Sequence, residues 1–139
     1  MKKPTITGNK ISVPSDPEYL NDVDVFIEGL LRGYGTDEST IADIAISVSE
    51  LVNNAMRHGN KSDVDENVIV TINKKSGTVE IKIEDKGNGF NPDTIDNPLE
   101  DENLLKEVGR GIFIVKSLMD SIKFNSTENG TTVIISKAI

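Results

Sequence analysis

The sequence predicts an α+β fold, a two-layer α/β sandwich in which helices pack on one face of a mixed, mainly antiparallel sheet. Segments that alternate apolar and polar residues come in pairs joined by short turns, as antiparallel hairpins do. Three other segments carry apolar residues at helical spacing. Strands and helices do not alternate one by one along the chain, which argues against a doubly wound sheet with parallel strands.

The composition is that of one small globular domain. A chain of 139 residues can bury a sizeable core without disulfides or metal, so we expect a single domain over residues 1–139. Its 15 basic and 23 acidic residues give a net charge of -8, which disfavours direct binding to nucleic acid or to an acidic membrane surface. The chain has no cysteine and no apolar run of the roughly 20 residues that a membrane span needs, so we predict a cytoplasmic protein.

The N-terminal half is predicted to contain an edge strand and two helices. Residues 6–13 favour extended structure around a Gly-Asn pair, which indicates a strand or hairpin at the edge of the sheet. A first helix is predicted to begin at Pro17, a favoured residue of the first turn, and to end at Gly33. A second helix opens near Asp37 and ends at residues 58–60.

The C-terminal half is predicted to contain two hairpins separated by a loop and a helix. Residues 67–74 and 78–85 alternate apolar and polar positions around a Ser-Gly turn. Residues 86–108 are rich in Gly, Asn, Asp, Pro and Glu, and a loop of this length often serves as a lid, here over residues 91–108. A third helix is predicted to start at residues 109–111, and residues 121–125 and 131–137 form the last hairpin.

The second helix is predicted to carry a polar stripe opposite its apolar face. At about 100° per residue, Glu50 and Asn54 are neighbours one turn apart. An ordinary solvated face is the alternative, but Asn53 and Asn54 are poor helix formers in mid-helix, and the stripe lacks alternating charges. An amide oxygen is a suitable Mg²⁺ ligand, and a carboxylate one turn earlier can polarise a hydroxyl aimed at a γ-phosphate. The predicted apolar face comprises Ile41, Ile44, Ala45, Val48, Val52, Ala55 and Met56, and the polar side Ser47, Glu50, Asn54, Arg57 and His58.

A first glycine motif follows the predicted strand that ends at Asp85. The segment reads Asp-Lys-Gly-Asn-Gly-Phe over residues 85–90. Its glycines allow a sharp turn and the close approach of a flat ring. The carboxylate of Asp85 could accept a hydrogen bond from the exocyclic amine of adenine, whereas the keto oxygen of guanine cannot donate one. An ordinary β-turn is the alternative for such a sequence.

A second glycine motif, Gly109-Arg110-Gly111, is predicted to lie directly before the third helix. Unpaired N–H groups at a helix N-terminus favour an anion such as phosphate. Arg110 adds positive charge that the acidic loop before it lacks. A glycine-rich turn that caps an amphipathic helix is the alternative. The sequence contains no P-loop motif.

Taken together, these three motifs resemble a known family. Glu50-x-x-x-Asn54, Asp85-x-Gly87-x-Gly89 and Gly109-x-Gly111 occur in the order of the N, G1 and G2 boxes of the Bergerat-fold ATPases, the superfamily of gyrase, heat-shock chaperone and histidine kinase ATPase domains. Residues 47–59 and 109–120 are similar to segments of the stand-alone anti-sigma-factor serine kinases. The resemblance covers nearly the whole chain and implies the Bergerat ATP-binding fold.

The resemblance implies a role for each matching residue. Glu50 corresponds to the catalytic base, Asn54 to the Mg²⁺ ligand and Asp85 to the acid that reads adenine. Gly87 and Gly89 correspond to the turn beneath the base. The remaining positions that the resemblance places at ATP are Phe90, Gly109, Arg110, Gly111, Ile112 and Thr131, of which Gly109 and Gly111 match the phosphate-binding end of the lid.

The resemblance also implies a function. Members of this family use ATP to phosphorylate a serine on an anti-sigma-factor antagonist, a STAS domain protein, and they sequester a sigma factor when the antagonist is not bound. A homodimer is expected on the same grounds. Two alternatives remain at this stage, namely a nucleotide-sensing interaction module without significant kinase activity and an α+β domain without a nucleotide site.

Overall fold

A computed structural model describes residues 3–87 and 102–139, and for residues 102–108 it describes the helical backbone only. A 3-10 turn, Pro17–Tyr19, precedes the first helix, and a π-helical turn, Ala55–Gly59, continues the second. The elements in chain order are β1 (Thr5–Thr7), β2 (Lys10–Pro14), α1 (Leu20–Gly33), α2 (Glu38–Asn54), β3 (Asn67–Lys75), β4 (Thr78–Asp85), α3 (Glu102–Leu118), β5 (Ser121–Thr127) and β6 (Gly130–Ala138).

The strands form one sheet in the order β1-β2-β3-β4-β6-β5, and every neighbouring pair is antiparallel. The predicted α+β class is therefore confirmed, as are the edge hairpin of β1 and β2 and the hairpin of β3 and β4. The strand order contains one crossover, because β4 pairs with β6 and not with β5. Strand β5 therefore lies at the edge of the sheet, beside β6. This register sets Asp85, the last residue of β4, opposite Thr131.

The core lies between this sheet and the three helices. Alternate residues of β3 and β4 are fully buried, and α2 packs between α1 and α3. The buried side chains of the two central strands are Val68, Val70, Ile72, Val79, Ile81 and Ile83. No helix in the described part of the chain combines the length and the apolar character that a membrane crossing requires.

Helix α2 largely follows its prediction and differs from it at two positions. Its apolar face is buried from Ile41 to Met56, and the helical path ends at Gly59. Ser47, predicted on the polar side, is instead fully buried, because its hydroxyl donates to the carbonyl oxygen of Asp43 at 2.9 Å and is satisfied within the helix. Ala45, predicted on the apolar face, is only half-buried.

Helix α3 starts earlier than predicted. It spans Glu102–Leu118, so residues 102–108 are helical and Gly109-Arg110-Gly111 lies inside the helix rather than before it. The prediction of the helix start was wrong because two glycines resembled a break. The sequence of residues 102–107 consists largely of Glu, Leu and Lys, which are good helix formers and extend the helix through the glycines.

Candidate functional site

A cavity lies where the end of α2 meets β4, β6 and α3. The empty space between its walls, including the part that is open to solvent, is about 430 Å³. Its walls are mostly apolar, and Asp85 is the one carboxylate among the described residues that line it. The lining residues are Leu51, Asn54, Ala55, His58, Gly59, Ile83, Asp85, Ile112, Phe124, Thr131 and Val133.

The carboxylate of Asp85 is held in place at the end of β4. Its Oδ1 accepts a hydrogen bond from the Gly87 N–H at 2.9 Å. Burial raises the pKa of Asp85 from 3.8 to about 6, although the N–H groups of Gly87 and Thr131 oppose this rise by stabilising the charged form. The carboxylate is therefore ionised at neutral pH in a poorly solvated place, where a further donor from a ligand would be favourable.

Three glycines make room for this carboxylate and its turn. A Cβ on Gly59 would overlap the carboxylate of Asp85 itself. A Cβ on Gly87 would overlap the carbonyl oxygen of Gly59, and one on Gly130 would overlap the backbone oxygen of Asp85. Gly130 also has a φ of +143°, which side chains rarely adopt. The absence of side chains thus allows the end of α2, the turn after β4 and the start of β6 to meet at one residue.

Glu50 and Asn54 lie together beside α3. A Cβ placed on Gly111 would be 3.0 Å from Glu50 Oε2 and 3.6 Å from Asn54 Nδ2, so both side chains reach this glycine. A Cβ on Gly109, two residues earlier, would meet nothing within 4 Å. Because Asn54 also lines the cavity that contains Asp85, it connects the carboxylate of Glu50 with the apolar pocket.

Glu50 also borders a second, shallower groove, between α1 and α2. The groove is lined by Asp24, Ala45, Ile46, Ser49 and Glu50. Ile46 is 47% exposed there. Burial, and then the neighbouring Glu28, raise the pKa of Asp24. Glu50 can therefore be approached from the surface of the helical layer as well as from the side of α3.

The other predicted positions have mixed outcomes. Ile112 and Thr131 are buried in the wall of the cavity. Arg110 is exposed on α3 and does not line the cavity. The predicted placement of Gly109 and Gly111 before the helix is wrong, because both lie inside α3, where backbone N–H groups are engaged in the helix. Their contact with phosphate stays a prediction. Gly89 and Phe90 lie outside the described residues.

Three residues of the site were not predicted to have a role there. Gly59 and Asn60 were interpreted as the end of a helix, and Gly130 as part of a turn. Their roles depend on contacts between distant segments, which single-sequence patterns do not contain. The structure itself marks this region with the π-helical turn, a distortion that is frequent at functional sites. The sequence gives no sign of that turn.

Comparison with known proteins shows the family to which the chain belongs. The family described as the histidine kinase-like ATPase domain matches residues 13–137. A serine-protein kinase RsbW from Oceanobacillus iheyensis is 28% identical over 136 residues, which cover 94% of this chain and 85% of that protein. A serine-protein kinase RsbW from Staphylococcus aureus is 31% identical over 137 residues, which cover 94% of this chain and 86% of the relative.

Solved structures share the fold. The crystal structure of the RsbU and RsbW domains of a Mycobacterium tuberculosis protein aligns with a TM-score of 0.70 at 22% identity, over 93% of this chain. This chain spans only 31% of that longer one. The histidine kinase domain of a blue-light activated kinase from Erythrobacter litoralis aligns with a TM-score of 0.58 at 20% identity, covering 90% of this chain and 61% of the other. The chain belongs to the histidine kinase-like ATPase domain family, as the match over residues 13–137 shows.

Proposed function

We propose that this chain is an ATP-dependent protein serine kinase that phosphorylates an anti-sigma-factor antagonist and binds a sigma factor when the antagonist is absent. One observation carries the proposal: Asn54 lines the same cavity as Asp85 and, like Glu50, lies against Gly111. A nucleotide whose base contacts Asp85 would thus have polar groups for its phosphates near the mouth of the pocket. The relatives named serine-protein kinase RsbW support the same reaction.

The buried end of the cavity suits adenine. Its apolar walls match a flat heterocycle, and the ionised carboxylate of Asp85 can accept the exocyclic N–H of adenine. Guanine has a keto oxygen at that position, and two oxygens facing each other would leave both without a donor. We assign the hydroxyl of Thr131, a residue that is 3% exposed in this wall, to order water beside the base.

The outer end of the cavity suits the phosphates and Mg²⁺. Within residues 3–87 and 102–139 no group of three or more His, Cys, Asp or Glu could hold a metal by itself. A single amide oxygen suits Mg²⁺, which takes few protein ligands and completes its shell with phosphate oxygens and water. We assign the amide oxygen of Asn54 as that protein ligand. When bound, Mg²⁺ would neutralise charge on the phosphate oxygens during transfer.

Glu50 is the group we assign to activate the protein substrate. It accepts the proton of the serine hydroxyl while the serine oxygen bonds to the γ-phosphorus and the bond to the β,γ-bridging oxygen breaks. ADP leaves with the electron pair of that bond. The groove between α1 and α2 offers the serine a route to Glu50 from the surface.

The partners follow from the family. We propose a STAS domain protein as the antagonist that carries the target serine, and a sigma factor as the alternative partner. The net charge of -8 is compatible with basic protein surfaces and disfavours direct contact with nucleic acid. A homodimer and a cytoplasmic location stay predictions.

The substitution Glu50→Gln tests the reaction. It keeps the shape and removes the base, so phosphate transfer should fall by about 10²-fold or more. The dissociation constant for ATP should stay within about threefold, since each tenfold change corresponds to about 1.4 kcal/mol of lost contact. Transfer is measured by weighing the antagonist by mass spectrometry after incubation with Mg-ATP, and ATP affinity by calorimetry.

Asp22→Asn provides a matched control, because Asp22 is an exposed carboxylate of α1 that lines neither cavity nor groove. Wild-type transfer by the Glu50→Gln variant would remove Glu50 from the mechanism. Tight ATP binding by the wild-type protein without phosphorylation of the antagonist would instead indicate a nucleotide-sensing module.

A further inference from the structure

Asn60, the residue after the π-helical turn, is buried and uses its whole amide group. It is 5% exposed. Its Oδ1 accepts the Lys86 N–H at 2.8 Å, and its Nδ2 donates to Ser15 Oγ at 2.9 Å and to the carbonyl oxygen of Asn67 at 3.1 Å. Its own N–H donates to the carbonyl oxygen of Ala55 at 2.8 Å and closes the turn. The side chain of Asn60 therefore joins the segment after β2, the start of β3 and the turn after β4, and its backbone N–H joins them to the end of the helical segment that continues α2.

The chemistry of the partners fixes the orientation of this amide. The N–H of Lys86 can only donate, so it must face the amide oxygen of Asn60. The hydroxyl of Ser15 donates its proton to the carbonyl oxygen of Glu66 at 2.6 Å, so it accepts from the amide nitrogen. Both ends of the amide are thus specified, and the network has one arrangement.

The same network reaches the carboxylate of Asp85 through two successive peptides. Asn60 holds the N–H of Lys86, and Asp85 itself accepts the N–H of Gly87 at 2.9 Å. The preceding residue, Gly59, packs against the carboxylate so closely that a Cβ there would overlap it. The turn is therefore fixed from one side by Asn60, and the carboxylate is confined on the other by Gly59.

We propose that Asn60 is a positioning residue for nucleotide specificity: by holding the Lys86 N–H it fixes the turn that orients the carboxylate of Asp85 for adenine. The inference deepens the proposed function and depends on it, because it presumes that the base contacts Asp85. Asn60 does not touch the nucleotide and acts through the turn. Without the side chain of Asn60, the carboxylate of Asp85 can adopt more orientations. It then no longer distinguishes the amine of adenine from the keto oxygen of guanine by position.

The test compares Asn60→Ala with Ser15→Ala. Both variants remove a buried hydrogen bond of the same network, but only Asn60→Ala releases the Lys86 N–H, since Ser15→Ala leaves the oxygen of Asn60 in place. Dissociation constants for ATP and GTP are measured by calorimetry at a low temperature where circular dichroism shows the variants folded. Phosphorylation of the antagonist is followed at saturating ATP. Asn60→Ser is measured beside Asn60→Ala as a second variant that fills more of the site.

The expected result is a loss of selectivity rather than of turnover. For Asn60→Ala the ATP dissociation constant should rise about tenfold, as expected for a buried group left without its partner, and the preference for ATP over GTP should fall by a similar factor. Its kcat at saturating ATP should stay within about threefold of wild type, because Glu50 and Asn54 are untouched. Ser15→Ala should keep the ATP to GTP ratio within about threefold although it also lowers stability.

Other outcomes would overturn the inference. Folded Asn60→Ala or Asn60→Ser protein with the wild-type preference for ATP would show that Asn60 does not position Asp85. An equal loss of preference in Ser15→Ala would assign the effect to general loosening of the network. Failure of both Asn60 variants to fold where Ser15→Ala folds would make Asn60 a folding residue only. Failure of the wild-type protein to bind ATP would refute the proposed function itself. This outcome is distinguishable from failure of the Asn60 inference, because it is observed without any variant.

Discussion

The two ends of the candidate site are built in different ways. At the end that we propose for the purine, called the purine end below, the backbone of three segments converges on Asp85, with glycines at the points of closest approach. At the end that we propose for the phosphates, called the phosphate end below, Glu50 and Asn54 are half-buried side chains that project from α2 toward Gly111. The first end depends on close packing of main chain, whereas the second depends on side chains that have space around them.

This difference separates stability from chemistry. A Cβ added at Gly87 or Gly130 must displace backbone, because it would overlap the carbonyl oxygen of Gly59 or the backbone oxygen of Asp85. A Cβ added at Gly59 would displace the carboxylate of Asp85 itself. A change at the phosphate end displaces only flexible side chains. We therefore expect substitutions at the purine end to lower the free energy of unfolding together with ATP affinity, and substitutions at the phosphate end to alter phosphate transfer without lowering that free energy.

Gly130→Ala should have the largest effect on stability. The new Cβ would overlap the backbone oxygen of Asp85, and the φ of +143° is strained for any residue with a side chain. Overpacking and backbone strain each cost about 1–3 kcal/mol, so the free energy of unfolding should fall by about 2–6 kcal/mol. Urea denaturation measures this change, and calorimetry should show weakened ATP binding in the same variant.

Gly29→Ala is the matched control for this substitution. Gly29 lies within α1, is exposed, and a Cβ there would meet nothing within 4 Å. Alanine is the better helix former, so this variant should gain about 0.5–1 kcal/mol and bind ATP like wild type. If Gly130→Ala is as stable as wild type, the close packing around Asp85 is not what holds the purine end together.

The pH dependence of the free energy of unfolding should identify Asp85 as a poorly solvated carboxylate. Its pKa is raised from 3.8 to about 6, chiefly by burial, so the folded protein holds a proton that the unfolded chain has already released between these values. The folded state therefore binds more protons in that window, and its free energy of unfolding falls as the pH rises from about 4 to about 6. Above this range the loss is complete and the dependence on Asp85 levels off.

Asp85→Asn isolates this contribution, because the amide does not titrate. The difference in unfolding free energy between wild type and variant, measured by urea denaturation at several pH values without nucleotide, should fall across that window. A difference that stays constant would show that the carboxylate is well solvated, and one that rises with pH would show that the N–H groups of Gly87 and Thr131 outweigh its burial. Saturating ATP should recover part of the loss for wild type, because the adenine amine supplies a donor to the charged form.

The elements of the fold could be predicted from the sequence where each pattern is local. The hairpin of β3 and β4 has strict alternation and a Ser-Gly turn, and the structure matches it almost residue for residue. The pairing of β4 with β6 could not be predicted, because two elements separate these strands along the chain. The start of α3 was missed because Gly109 and Gly111 outweighed the helix-forming residues before them.

The site shows the same limit. Glu50, Asn54 and Asp85 could be singled out as candidates because helical spacing and a strand-end turn place them by local rules. The structure adds that Asn54 and Asp85 share a cavity, which depends on the packing of α2 over β4. Asn60 and Gly130 could not be found, since the role of each is a contact with the turn at Asp85, reached across the sheet or from the end of a helix.

Gly111→Ala and Gly109→Ala test the phosphate end with a matched pair and the smallest expected effect. Both glycines lie inside α3, so both substitutions should stabilise the helix by about 1 kcal/mol. Only the Cβ at Gly111 would crowd the site, 3.0 Å from Glu50 Oε2. A displacement of a few tenths of an ångström should lower kcat/KM for the antagonist by about tenfold or less, because a 1 Å misplacement costs on the order of 10²-fold.

Activity and thermal denaturation of the two variants are measured side by side. Gly109→Ala should keep wild-type transfer, since a Cβ there would meet nothing within 4 Å. If both variants lose transfer equally, the glycines are needed for a rearrangement of the first turns of α3 and not for space beside Glu50. If neither variant loses transfer, the flexible side chains of the phosphate end move enough to accommodate the added methyl group. The contrast with the purine end then becomes sharper, because a methyl group would be tolerated at one end and not at the other.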